Sequence, residues 1–212
     1  MPVNLSKGEN VSLAQQVPGL NSVLVGLGWD PPGTGEKWDL DASVFLLNSG
    51  GKVVSDSHLI FYNHLTSPDG CQCSGEHKCG SPRGYVLHTG DNKDGEGDGD
   101  DEAVIVNLTA LPADVQSIVF AVTIHEAAAL GQNFGQVENA FIRIVERKAG
   151  DSWDGATGPE IVRYDLGEDF STETALVFGE LSRASGEWKF AASGTSPAGD
   201  LGGLCRVYGV AV

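Results

Sequence analysis

Gln116-Ser117-Ile118-Val119-Phe120-Ala121-Val122-Thr123-Ile124 contains four β-branched apolar residues and neither glycine nor proline. A stretch of that composition and length reads as a β-strand. Ala42–Leu47 gives a similar reading, with Val44, Phe45, Leu46 and Leu47 in one unbroken apolar run. Such a run predicts a strand covered on both faces or lying between sheets. Working outward, strands are expected over Val11–Leu13, Ser22–Trp29, Lys52–Val54, His58–Asn63, Tyr85–His88, Ala103–Leu108, Glu138–Glu146, Glu160–Leu166, Thr174–Arg183 and Glu187–Ala192. The last two are joined as a hairpin. Helical signals are limited to Glu126–Leu130, ended by Gly131, and to Leu201–Tyr208. Many short strands without sustained helical periodicity predict an all-β fold, a sandwich of two antiparallel sheets with short helical turns. No repeat of fixed period and no Pro/Ser-rich linker divides residues 1–212, so one domain is expected.

The chain has 29 acidic and 13 basic residues, a formal charge of −16. That balance argues against unaided binding to nucleic acid or to an anionic membrane surface. No apolar run approaches the length of a membrane span. The N-terminal residues Met1–Gly8 lack the basic and apolar regions of a signal peptide, so the expected compartment is the cytoplasm. In that compartment cysteines read as thiols or metal ligands before disulfides.

The charge is concentrated in Asp91-Asn92-Lys93-Asp94-Gly95-Glu96-Gly97-Asp98-Gly99-Asp100-Asp101-Glu102, where seven of twelve side chains are carboxylic acids and one is a lysine. The segment runs directly into the strand expected at Ala103. Carboxylates crowded in an ordered loop repel one another unless a cation neutralises them, and oxygen-only ligands suit Ca²⁺ or Mg²⁺. The glycines let the backbone turn tightly enough for donors to converge. A solvated acidic loop is the alternative. The loop fails as an EF-hand: a frame starting at Asp94 places Ile105 where the bidentate glutamate belongs, and one starting at Asn92 places Ala103 there. Further ligands must then come from elsewhere. Asp39 and Asp41 flank Leu40 at a strand start, and in extended backbone they share a face. Asn63 is a further oxygen donor to consider.

Cys71, Cys73, His77 and Cys79 supply three thiols and an imidazole within nine residues, a tetrahedral zinc set by type. The single residue between Cys71 and Cys73 departs from the usual two-residue chelating turn, and free thiols or a disulfide remain as alternatives. Cys205 reads as a buried structural cysteine. His125 reads as a hydrogen-bonded structural histidine or a base. No nucleophile elbow, phosphate-cradling loop or dinucleotide fingerprint is present in the sequence.

The chain resembles the TerD family of tellurite-resistance and stress proteins. The resemblance rests on Val3–Gly8, Gly28-Trp29-Asp30, Trp38-Asp39-Leu40-Asp41-Ala42-Ser43, His88-Thr89-Gly90-Asp91-Asn92 and Gly97–Glu102. It continues through Val122–His125, Asn133–Val137, Asn139–Arg143, Tyr164-Asp165-Leu166 and Ser171–Ala175. It implies a β-sandwich and a Ca²⁺ site with Asp39, Asp41, Asp91, Asn92, Glu96, Asp98, Asp100, Asp101 and Glu102 as ligands. Nine donor residues exceed the six to eight oxygens around one Ca²⁺, so two neighbouring ions sharing carboxylates are expected. Asp94 stands where the family more often has a small polar residue and reads as an outer-shell group. The segment from Cys71 to about Tyr85 is an insertion relative to the family pattern. The resemblance also implies a non-enzymatic role within a multi-protein stress-resistance system, with a membrane partner among the candidates. Two other readings stand beside it: a metal-dependent hydrolase using the same carboxylates, and a redox or metal-sensing module carried by the cysteines.

Overall fold

The stretch at 116–124 forms a strand whose two faces are both covered. Ile118, Phe120, Val122 and Ile124 point into the main core, while Val119 and Ala121 point into a second apolar cluster. The computed structural model describes residues 1–30, 38–68, 84–92, 99–152, 155–166, 172–184 and 186–212. Among them are the strands β1 (Val3–Asn4), β2 (Asn10–Ser12), β3 (Ser22–Asp30), β4 (Leu40–Leu47), β5 (Leu59–Ile60) and β6 (Val86–His88). They are followed by β7 (Glu102–Asn107), β8 (Ser117–Ile124), β9 (Glu138–Glu146), β10 (Glu160–Asp165), β11 (Ala175–Ala184) and β12 (Glu187–Thr195). Helices are short: α1 (Leu13–Gln16), α2 (Ala127–Leu130) and α3 (Leu201–Tyr208).

The strands form two six-stranded sheets. The first has the order β1-β10-β9-β3-β7-β6, the second β2-β12-β11-β8-β4-β5. Every pairing is antiparallel except that of β1 with β10. The main core lies between the sheets. It takes alternate residues of each strand: Leu40, Ala42, Val44 and Leu46 from β4, Val104 and Val106 from β7, Ile142 and Ile144 from β9. That alternation follows from the period of two along a strand.

The outer face of the second sheet is also apolar, which explains the unbroken runs in β4 and β8. Phe45, Leu47, Val119 and Val177 are covered by Leu204 and Cys205 of α3. This helix is capped at both ends. Asp200 accepts a hydrogen bond from the Gly203 N–H, and Gly209 closes the helix at φ 82°, a left-handed conformation that glycine takes without a Cβ penalty. The Phe45 and Tyr208 rings lie 4.6 Å apart, centroid to centroid. Cys205 is a free thiol, buried in this layer, as the sequence suggested.

Three sequence expectations are corrected. Lys52–Val54 is not a strand but a single bridge, Leu47 to Val53. The segment 58–63 holds only the two-residue β5: a 3₁₀ turn at Asp56–His58 precedes it, and a tight turn follows in which Phe61 and His64 exchange backbone hydrogen bonds. Val11–Leu13 splits, since Leu13 opens α1. No helix among the described residues is long and apolar enough to cross a membrane.

Phe45 is fully buried between β4 and α3. Phe45→Ala is expected to lower stability by about 3–5 kcal/mol, read by chemical denaturation. A loss below about 1 kcal/mol would show that α3 does not hold the outer face.

Candidate metal centre

The centre is assembled where the start of β4 meets the loop between β6 and β7. Asp39 immediately precedes β4 and Asp41 is its second residue, on the face opposite Leu40 and Ala42. The chain leaving β8 fixes this corner: the His125 N–H donates to the Asp39 carbonyl at 2.8 Å. Asp91 arrives from the other sheet, three residues beyond β6. Carboxylate oxygens of Asp39, Asp41 and Asp91 lie within 4.8 Å of one another. Asp41 is buried, Asp39 half-buried and Asp91 exposed, so the cluster opens to solvent on the Asp91 side.

The rest of the acidic segment is tied to protein groups. Glu102, only 1% exposed, begins β7 and points into the sandwich. One oxygen accepts from the Ala42 N–H at 2.6 Å and the other from the Asn92 N–H at 3.2 Å. His88 Nε2 stands 3.4 Å from the same carboxylate. Ala42 needs this acceptor because β5 pairs only with Val44 and Phe45 and stops short of it. Asp101 accepts from the Trp29 N–H at 2.8 Å and from Asn92 Nδ2 at 3.1 Å. Its own N–H donates to the Leu27 carbonyl. Asp100 turns to the outer face of the first sheet, where Arg143 holds it in a two-pronged pair at 2.7 and 2.9 Å and also reaches Glu160 at 3.2 Å. Gly26 makes room for that carboxylate: a Cβ there would strike Asp100.

Of the residues singled out in the sequence, Asp39, Asp41 and Asp91 are brought together. Asn92, Asp101 and Glu102 border them through the hydrogen bonds above, and Asp100 faces Arg143. Asn63 sits exposed in the turn after β5. Asp94, Glu96, Asp98, Cys71, Cys73, His77 and Cys79 lie outside the described residues. His125 gains a place that its sequence context had not assigned, with Nδ1 at 3.7 Å from Asp41. The signal was present in the strand register: Asp41 pairs with Thr123, and two residues further along the same face is His125. Likewise His88 shares the inward parity of Val86 in β6.

Burial and like charge dominate the electrostatics of the cluster. The Asp41 carboxyl is pushed up to about 7, first by burial and then by Asp39, Glu102 and Asp91, against a smaller opposing effect of His125. Burial also raises Asp101, opposed by its bond from Trp29. A divalent cation would reverse this penalty by favouring the ionised forms. The donors are all oxygen, and ligands on opposite sides of Ca²⁺ can stand about 5 Å apart at its metal–oxygen distances. The three carboxylates therefore fit a hard dication.

Two predictions follow from this geometry, both for protein held in chelator. Glu102→Ala removes the acceptor of the buried Ala42 N–H and of the part-buried Asn92 N–H and is expected to cost about 1–3 kcal/mol, chiefly at Ala42. Glu102→Gln, which keeps one acceptor oxygen, should lose less; equal losses in denaturation would refute the bridging role. For Asp41, the folded chain retains a proton across about pH 4–7 that the unfolded chain, with an ordinary carboxyl near 3.9, has released. The stability Asp41 contributes is thus fully present below about pH 4 and falls as pH rises to about 7. Asp41→Asn should remove this component from the pH profile of stability, and an unchanged profile would contradict it.

A TerD domain model matches residues 1–208. The chain is 53% identical over 211 residues to the tellurium resistance protein TerD of Serratia marcescens, covering 99% of this chain and 98% of that protein. It is 47% identical over 214 residues to general stress protein 16U of Bacillus subtilis (strain 168), covering both in full. A crystal structure of a telluride resistance protein (TerD) homologue from Streptomyces coelicolor A3(2) shares the fold, with TM-score 0.61 at 19% identity over 92% of this chain and 99% of that one. By sequence over nearly its whole length and by the architecture of its two sheets, the chain belongs to the TerD family.

Proposed function

We propose that this protein is a non-enzymatic Ca²⁺-binding member of the tellurium-resistance and stress-response family, acting in the cytoplasm as part of a multi-protein resistance system. The observation that carries the reading is the convergence of Asp39, Asp41 and Asp91 from two different sheets. Two carboxylates on one strand face and a third from the opposite sheet make an oxygen cradle that a dication would close. In this reading Asp39, Asp41 and Asp91 bind the ion directly. Asn92, Asp101 and Glu102 set the position of the loop that delivers Asp91. A second ion would draw on Glu96 and Asp98 within the same loop.

An ion of this kind binds the folded chain and not the unfolded one, so it stabilises by mass action, about 2.7 kcal/mol at a hundredfold excess over Kd. Ca²⁺ is expected to raise the melting temperature and chelator to reverse the rise. Calorimetry should find one or two ions per chain. Asp41→Asn should have opposite effects in the two conditions: above pH 7 it relieves carboxylate repulsion in chelator, and it removes most of the Ca²⁺-dependent rise. Absence of both a thermal shift and a calorimetric signal with Ca²⁺ would overturn the proposal.

A further inference from the structure

At the end of the sandwich opposite the carboxylates, a cavity of about 400 Å³ opens between α1, the chain after β7 and the β11–β12 hairpin. The two ends are distinguished by register: Asp41 pairs with Thr123, which pairs with Ala175, whereas Leu47 pairs with Ser117, which pairs with Ser182 beside this cavity. Its wall is apolar, formed by Leu13, Leu20, Leu108, Leu111 and Trp188. The one cationic side chain lining it among the described residues is Arg183.

Arg183 is bonded unlike three other arginines of the structure. Arg143, Arg163 and Arg206 each stand within 4.0 Å of a carboxylate. Arg183 is half-buried, and no carboxylate among the described residues lies within that distance of it, in a chain of 29 acids and 13 bases. Its Nη2 makes two long contacts, 3.3 and 3.4 Å, to the Leu111 and Pro112 carbonyls. The buried Nε–H has no acceptor. Its Cζ lies over the Trp188 ring, 4.9 Å from the ring centroid, which holds the guanidinium at the cavity wall. Glu187 also borders the cavity, but it is exposed and its Oε2 accepts from Ser12 Oγ at 3.1 Å.

A half-buried guanidinium without a counter-ion is costly, and a guanidinium matches a carboxylate in shape and charge. The volume lies in the range of small-molecule sites, which combine apolar walls with a few fixed polar groups. We propose that this cavity binds a small organic carboxylate with an apolar body, of the class of medium-chain fatty acids, its headgroup on Arg183 and its chain among the leucines and Trp188. The site is separate from the Asp39, Asp41 and Asp91 cluster and lies at the other end of the sandwich.

The test is titration of the isotope-labelled full chain with octanoate, octan-1-ol and octylamine, followed by amide NMR shifts. Octanoate should move the amides of Leu13, Leu20, Leu108, Leu111 and Trp188 in a saturable way. Octanol, lacking the charge, should bind about tenfold more weakly or worse, the loss expected for one charge-assisted hydrogen bond. Octylamine should not bind there. Arg183→Gln should bring octanoate down to the octanol level while leaving octanol unchanged. Equal affinity for octanoate and octanol, shifts confined to other residues, or no saturable shift would overturn the proposal. If Arg183→Gln does not fold, the octanoate-to-octanol ratio on the unaltered chain decides by itself.

Discussion

A single buried carboxylate holds the two sheets in relation to each other at the acidic end. Glu102 leaves the first sheet and takes the Ala42 N–H of the second, an N–H that the short β5 cannot reach. The other oxygen fixes the backbone of Asn92, next to Asp91. A buried carboxylate bonded by backbone donors on both oxygens is rigid, because any shift leaves a donor or an acceptor unsatisfied in low dielectric. The distance between Asp91 and the pair Asp39 and Asp41 is therefore set by protein hydrogen bonds, before any ligand is considered. Asp101 and Asp100 extend the same logic outward, one to the end of β3 and the other to Arg143 on β9.

Consecutive acidic residues in one loop thus divide by direction. Asp100 faces the outer surface of the first sheet, Asp101 its edge backbone, Glu102 the interior. A bend at Asp101, just before β7, makes that division: uninterrupted extended backbone would have put Asp100 and Glu102 on one face. A count of carboxylates treats them as equivalent donors, whereas the backbone distributes them among neutral N–H groups, one guanidinium and the oxygen cluster. Their effect is felt outside the segment, at Asp41 of β4, whose carboxyl is raised first by burial and then by Asp39, Glu102 and Asp91.

Most strands were legible because their apolar residues outnumber what one face requires. The runs in β4 and β8 signalled coverage on both sides, and α3 supplies the second cover. That Asp39 and Asp41 share a face was legible from spacing, and the failure of the calcium-loop frames directed attention to oxygen donors distant in sequence. What escaped was everything that depends on where a strand ends. Lys52–Val54 has strand-like composition, yet its hydrogen bonds go to Asn48, Leu46 and Tyr208 in a turn. The two-residue β1 pairs in parallel with β10, an alignment that no local pattern encodes. The bridging geometry of Glu102 exists only because β5 is short, and the place of His125 only because β8 pairs with β4 in one register.

The outermost strands of both sheets share one property. β1, β2, β5 and β6 are two or three residues long, and β6 is further covered by the Ser67 N–H, which donates to the Val86 carbonyl, and by the Leu65 carbonyl, which accepts from the His88 N–H. Sheet borders this short offer little template for an incoming strand. The protein is thereby protected against edge-to-edge polymerisation even with two six-stranded sheets. Edges this short leave faces and loops, more than strand borders, as surface among the described residues.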